Sequence, residues 1–227
     1  MTIGTLTGFG NNLVQEVLEK GDIAVATARK PKSLKFKGTS EKNFLALKLD
    51  VTQQADIDSA FKSALEKFKR VDAVKPSGGL IQPVTSVGRQ VGVPTFGIYC
   101  TSKWAVEAFT ETISQEVKPD WRIKFTLIEP GGFRTDFSGR SMASPEKRNP
   151  AYDHIDTKKN KETKDGTQPG DPVKAAKAMY ELAVSSDPPL RTTLGSDGYE
   201  AISKKVEKYK ENLKKFEKMS KSTDIKR

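Results

Sequence analysis

Residues 4–74 alternate between two hydrophobic periods, and that alternation leaves few folds open. A glycine-rich turn comes first, Gly4-Thr5-Leu6-Thr7-Gly8-Phe9-Gly10. Leu13, Val14, Val17 and Leu18 follow at helical spacing, with Gly21 as a stop. Ile23 to Ala28 is then a continuous apolar run of strand length, and Phe44 to Leu49 is a second. Residues 53–69 return to helical spacing, with Ile57, Phe61, Ala64, Leu65 and Phe68 on the inward face. Val71 to Val74 is a third short strand. Strands alternating with helices predict a parallel α/β sheet, whose ligands bind at the carboxyl ends of the strands. The glycine turn opens directly into a helix N-terminus, where free N–H groups and the helix dipole favour a pyrophosphate.

A second pattern lies further on. Tyr99 and Lys103 in Tyr99-Cys100-Thr101-Ser102-Lys103 are one helical turn apart and share a face. A phenol with a pKa near ~10 is too weak an acid for neutral pH. An ammonium one turn away is expected to favour the phenolate and lower that pKa. Ser86, thirteen residues before Tyr99, follows the apolar run at 80–84 and can donate a hydrogen bond to a carbonyl or alcohol oxygen. Together the three groups suit proton transfer at a C–O centre while a cofactor moves the hydride.

These motifs stand in one order along the chain, and in that order the chain resembles the short-chain dehydrogenase/reductase family. Gly4, Gly8 and Gly10 match its GxxxGxG, Asp50-Val51 its acidic adenine-side position, and Thr85-Ser86-Val87-Gly88 its serine motif. Tyr99 and Lys103 match YxxxK, and Pro130-Gly131-Gly132-Phe133-Arg134-Thr135 match the loop that meets the nicotinamide. The resemblance covers residues 3–138 well and 171–198 more loosely. It implies a Rossmann-type doubly wound parallel sheet and a ketone or aldehyde interconverted with an alcohol. Tyr99 would be the general acid/base, Lys103 would hold the nicotinamide ribose, and Ser86 would orient the substrate oxygen. Phe9 and Phe133 would lie along the cofactor, with Thr135 near its carboxamide. Members preferring NAD carry a carboxylate where this chain has Ala28, followed by Arg29-Lys30, which can pair with a 2′-phosphate. NADP is therefore expected over NAD. Family members are usually homodimers or tetramers.

Two departures from the family pattern stand out. Only Met1-Thr2-Ile3 precede Gly4, roughly 10 Å of strand. Between Val74 and Leu80 the chain has only Lys75-Pro76-Ser77-Gly78-Gly79, where a parallel crossover takes at least ~10–12 residues. Either the flanking strands pair differently or a segment is absent. An internal deletion between Val74 and Lys75 is the favoured reading. It would remove an Asn-Asn-Ala-Gly motif and a helix bearing a further catalytic asparagine, leaving the fold incomplete relative to the family. The rival reading is then a catalytically impaired remnant, serving at most as a nucleotide- or protein-binding module.

Composition narrows the remainder. No apolar run approaches ~18 residues, so no membrane span is expected, and the N-terminus lacks a secretory signal pattern. A single cysteine, Cys100, excludes an internal disulfide and suits a cytoplasmic setting. The lone histidine, His154, excludes a multi-histidine metal site. The net charge of +10 raises a nucleic-acid reading, but no arginine-rich cluster with interleaved aromatics accompanies it. Half of that charge lies in 199–227, where Ile202, Val206, Tyr209, Leu213 and Phe216 mark an amphipathic helix. It is expected to dock with a solvated lysine face, the other reading being a membrane-surface helix. Residues 1–198 would form one domain, with 138–172 as a substrate-side loop or lid. Phe96, Phe137 and Tyr152 hint at an apolar substrate.

Overall fold

The computed structural model describes residues 1–69, 71, 78–139, 141–142, 149–152, 154–155 and 165–225. Strand β1 (Thr2–Ile3) leads through the glycine turn into helix α1 (Gly8–Glu19), and β2 (Ala24–Ala28) and β3 (Phe44–Lys48) follow. The three strands are parallel in the order β1-β2-β3, with Thr2 opposite Ala26 and Ala24 opposite Phe44. Gly21, at φ 82°, ends the α1 turn in a conformation that suits glycine. Ile23 falls outside β2 and is exposed, so the strand begins one residue later than its apolar run suggested. Val14 and Leu18 of α1 pack on Ala24 and Ala26, with Phe36 and Phe44 closing the cluster. Val25 faces the other side, where it meets Ala64 and Val71.

Ala64 belongs to α2 (Gln54–Phe68), which ends with Lys69 in the left-handed region at φ 57°. Phe61 and Phe68 pack inward as expected, but Leu65 is exposed. The apolar positions of α2 span more of its circumference than one sheet face covers. β1 has two residues, and Ile3 at its end is 54% exposed.

The second set of strands forms around β4 (Gly79–Ile81), β5 (Ile123–Phe125) and β6 (Leu127–Pro130). β4 pairs in parallel with β5, from Gly79 opposite Ile123 to Ile81 opposite Phe125. The same offset returns at Val84 opposite Ile128. The amides of Thr126 and Ile128 donate to Ile81 and Pro83 at 2.9 Å each, so one ladder runs through both strands. β6 pairs in parallel with β7 (Arg191–Leu194). Helix α3 (Gly97–Glu116) makes the crossover from β4 to β5, and α4 (Pro172–Val184) makes that from β6 to β7. Asp171 caps α4, its carboxylate accepting from the Val173 amide at 2.8 Å.

Helix α1 packs along α4, and the Tyr180 hydroxyl donates to Asp22 at 2.6 Å. That contact ties the two groups of strands together. The strand expected at 71–74 and the link to Gly79 lie largely outside the described residues, although Val71 is buried. Among the described residues β4 pairs with β5 alone. Helices α5 (Ser196–Lys215) and α6 (Glu217–Lys221) end the chain. Beyond Ile202 every described residue of the tail is exposed, so the expected docking of its apolar face is not observed. No helix among the described residues is long and apolar enough to cross a membrane.

Candidate active site

The β4 ladder ends at Val84, and the chain turns at Ser86. Ser86 caps the short 3-10 turn Val87–Arg89, its hydroxyl accepting from the Gly88 amide at 3.1 Å. The Tyr99 phenol, in the first turn of α3, lies beside that hydroxyl, which acts to lower its pKa. The Tyr99 ring lies between Phe96, edge-on at 6.0 Å, and Phe137 at 5.4 Å. The Lys103 ammonium stands 5.7 Å from the centre of that ring and donates to the Val84 carbonyl at 3.2 Å.

Burial pushes the Tyr99 phenol above its ordinary pKa, against the opposing pull of the Ser86 hydroxyl. Burial also lowers the Lys103 ammonium. The expectation that Lys103 holds the phenol below its usual value is therefore corrected. In this structure desolvation sets the direction of the shift, and the Lys103 ammonium donates to a backbone carbonyl instead.

Beneath these groups lies an ion network the sequence reading missed. Arg89 and Glu129 are 6% and 1% exposed, and the Arg89 guanidinium meets Glu129 directly and Glu107 at 3.4 Å. Glu107 also accepts from the Thr85 hydroxyl at 2.7 Å and from Arg191 at 3.1 Å. Arg191 reaches Glu111 at 2.6 Å, and Thr193 donates to Glu129 at 2.9 Å. Thr85 precedes Ser86, and Glu107 lies two turns beyond Tyr99 on the Lys103 face. The network thus fastens the Ser86 turn, α3, β6 and β7 to one another.

The glycine turn forms a cradle at the start of α1. Gly4 and Gly8 hold φ values of 74° and 62°, which favour glycine. A Cβ on Gly10 would collide with the Gly4 carbonyl oxygen, so only glycine lets the helix start this close to the turn. Thr5 anchors the turn by donating its hydroxyl to Thr27 at 3.0 Å. Space beside Gly4 is open, and no side chain caps the helix. Such a cradle fits a pyrophosphate.

At the ends of β2 and β3, Arg29 and Lys30 are exposed. Asp50 accepts from both the amide and hydroxyl of Thr52, at 3.0 and 2.8 Å. Those bonds, with the nearby Arg29 charge, hold its carboxyl below the usual aspartate value. Val51 is exposed beside it.

The loop after β6 joins the parts. Phe133 meets Phe9 edge-on at 5.1 Å. Thr135 lies 3.7 Å from the Cβ position of Gly8, and Phe137 packs on Tyr99. Alternate residues of one loop therefore touch the cradle and the tyrosine. Asp197, in the first turn of α5, holds this loop by accepting from the Gly132 amide at 2.7 Å. A Cβ on Gly131 would collide with the Asp197 carboxylate. The Gly131 amide donates to Leu194 at 2.8 Å, continuing the line of β6 from Pro130. Arg134 is tied to the Gln168 carbonyl at 2.8 Å, anchoring the far end of the 138–172 segment. Much of that segment lies outside the described residues. A hollow of about 230 Å³ lies beside Phe133, lined also by Gly170, Lys174, Leu194 and Ser196, and does not include Tyr99.

Ser86, Tyr99, Lys103, Gly8, Phe9, Phe133 and Thr135 are thus joined in one chain of contacts. Arg29, Asp50 and Val51 stand at the outer strand ends. Glu107 had a sequence signal, since it continues the Tyr99–Lys103 face by another turn. Asp197 had none, because 65 residues separate it from the amide it holds.

The sequence model of the short chain dehydrogenase family matches this chain at residues 1–82 and 73–146. The two matches overlap at the short link between Val74 and Leu80. An oxidoreductase of Schizosaccharomyces pombe is 28% identical over 255 aligned positions, covering 92% of this chain and 86% of the relative. That alignment is longer than the chain itself, so the relative carries residues without a counterpart here. An oxidoreductase of Botryotinia fuckeliana is also 28% identical, covering 96% of both chains. Among solved structures, a short-chain dehydrogenase of Streptomyces avermitilis superposes with a TM-score of 0.84 at 26% identity, over 99% of this chain and 98% of that one. The fold is shared by a Burkholderia phymatum structure in complex with NAD, with a TM-score of 0.71 at 18% identity over 94% of this chain and 92% of that one. It is also shared by a Burkholderia cenocepacia structure with NADP, with a TM-score of 0.63 at 17% identity over 94% of this chain and 95% of that one. Its matched motifs, its parallel α/β fold and these relatives place the chain in the short chain dehydrogenase family of NAD(P)-dependent oxidoreductases.

Proposed function

We propose that this protein interconverts a ketone or aldehyde with the corresponding alcohol, using NADP, with Tyr99 as the general acid/base. The observation that carries the reading is the loop 133–137, which joins the cradle at Gly8 and Phe9 to Tyr99. The cofactor, when bound, supplies or accepts the hydride. The Gly4–Gly10 turn and the α1 N-terminus would hold its pyrophosphate, and Asp50 and Val51 its adenine end. Pro130, Gly131, Phe133 and Thr135 would border the nicotinamide end.

The chain's own groups divide the rest of the work. The Ser86 hydroxyl donates to the substrate oxygen and fixes it beside Tyr99. The Tyr99 phenol gives its proton to that oxygen in the reducing direction and takes it back in the oxidising one. The Lys103 ammonium supplies positive charge beside the ring and donors for a ribose hydroxyl. Phe96 and Phe137 exclude water from the phenol, which suits an apolar substrate. Tyr152 stacks on His154 instead, and contributes nothing visible to this wall.

Arg29 and Lys30 favour NADP over NAD, since both are exposed where a 2′-phosphate would sit and no carboxylate occupies position 28. Replacing both by alanine is expected to weaken NADPH binding by roughly 10-fold or more and to leave NADH nearly unchanged. Equal weakening of both would remove the basis of the preference. A small-molecule substrate and a cytoplasmic setting complete the reading, with no nucleic acid and no metal. One observation favours the second reading, a binding fold impaired in turnover. The match to the family breaks at the short link, where the helix with the further asparagine belongs.

A further inference from the structure

Beyond Ile202, the C-terminal helix presents an apolar stripe that no described residue covers. Tyr199, Ile202, Val206, Tyr209, Leu213 and Phe216 recur at alternating spacings of three and four, and span about 100° of the helix. Tyr199, Tyr209 and Leu213 are 68%, 63% and 56% exposed. Lysines flank the stripe on both sides. Lys205 borders one edge and Lys210 the other, with Lys214 about 40° beyond Lys210, while Lys204, Lys208 and Lys215 lie on the polar face. Glu200, Glu207 and Glu211 also lie on the polar face, Glu207 pairing with Lys210 at 3.5 Å.

This layout discriminates between occupants. In a parallel pair of such helices, Lys205 of one copy would face Lys210 of the other. In an antiparallel pair with the stripes in full register, Lys210 would face Ser203 and Lys205 would face Asn212. Neither arrangement brings a carboxylate of the second copy to a flanking lysine, nor pairs its charges across the seam. An anionic bilayer does. Apolar side chains enter the acyl boundary, flanking lysines extend to the lipid phosphates, and glutamates remain in water. Tyrosines suit that depth, with an apolar ring and a polar tip.

We infer that the helix 196–215 is a docking element for an anionic lipid surface, lying in the plane of the interface and holding the enzyme body beside the membrane. The inference is independent of which substrate Tyr99 serves.

Sedimentation of the full chain with vesicles tests it. Vesicles of phosphatidylcholine with about one third phosphatidylserine should bind at least ~10-fold more protein than pure phosphatidylcholine, and less as salt rises. The double substitution Val206→Glu, Leu213→Glu should abolish binding while circular dichroism shows the helix retained. Lys205→Gln with Lys210→Gln and Lys214→Gln should lower binding to the anionic vesicles alone. Equal binding to both vesicle types, or binding unchanged by the double substitution, would assign the effect to another apolar surface and overturn the proposal. So would an absence of vesicle binding. A concentration-dependent dimer that the double substitution breaks, with no vesicle binding, would assign the stripe to a second copy instead.

Discussion

Burial holds the Tyr99 phenol above its ordinary value, the opposite of what its pairing with Lys103 suggested. The spacing of Tyr99 and Lys103 was legible, because a four-residue step on a helix fixes a shared face. The direction of the pKa shift was not, because part of the burial comes from Phe137, on a loop 38 residues further along the chain. A phenol raised above its ordinary value is protonated at neutral pH. The account therefore predicts that the reducing direction is nearly flat with pH around neutrality and falls only above about pH 10. The oxidising direction, which needs the phenolate, should rise with pH over the same range. Rate profiles in both directions check this. A reduction rate that falls through pH 7–8 would place the Tyr99 pKa below its ordinary value. Arg89 offers a test of the ion network. Arg89→Met leaves Glu107 and Glu129 buried without that partner, and should cost about 3–5 kcal/mol of stability in denaturant unfolding. A loss below ~1 kcal/mol would show that Arg191 alone satisfies both carboxylates.

At the scale of elements, the alternating periods located β2, β3 and α2 to within a residue or so, and α1 with a start three residues later than Gly8, where it begins. What they could not supply was the extent of burial, as Ile23, Leu65 and the tail helix show. Each is apolar at the correct period, yet no neighbouring layer reaches it. The β3–α2 corner carries a testable acid response. Asp56 accepts from Lys48 and from the Asp50 amide, at 3.1 and 3.0 Å, and those bonds lower its pKa. Asp50 is lowered by the Thr52 bonds. Groups lowered on folding stabilise the fold above the ordinary aspartate value of 3.8 and lose that contribution as pH falls through their lower folded values. The corner should therefore hold its structure at pH 4 and loosen below it. Amide exchange at 50–56 between pH 5 and 2.5 would show this, and protection lost already at pH 5 would contradict it.

The whole molecule places its chemistry where two groups of strands meet. β1, β2 and β3 carry the cradle, and the strands around β4 and β6 carry Ser86 and the 130–137 loop. The packing of α1 on α4 and the contacts of Phe133, Thr135 and Phe137 join them. The family membership and nearly all the proposed site residues were legible, because their motifs are local. The means of joining was not, because it rests on Tyr180 meeting Asp22 and on Asp197 holding the 130–137 loop, each across a long stretch of chain. The short link between Val74 and Leu80 makes turnover the decisive question. The most direct measurement follows NADPH consumption by the full chain over a panel of apolar ketones and aldehydes, beside Tyr99→Phe. The account predicts NADPH-dependent reduction of at least one of them, slowed about 10²–10⁴-fold by the substitution with cofactor binding retained. NADPH bound without turnover, or turnover that Tyr99→Phe leaves unchanged, would contradict it.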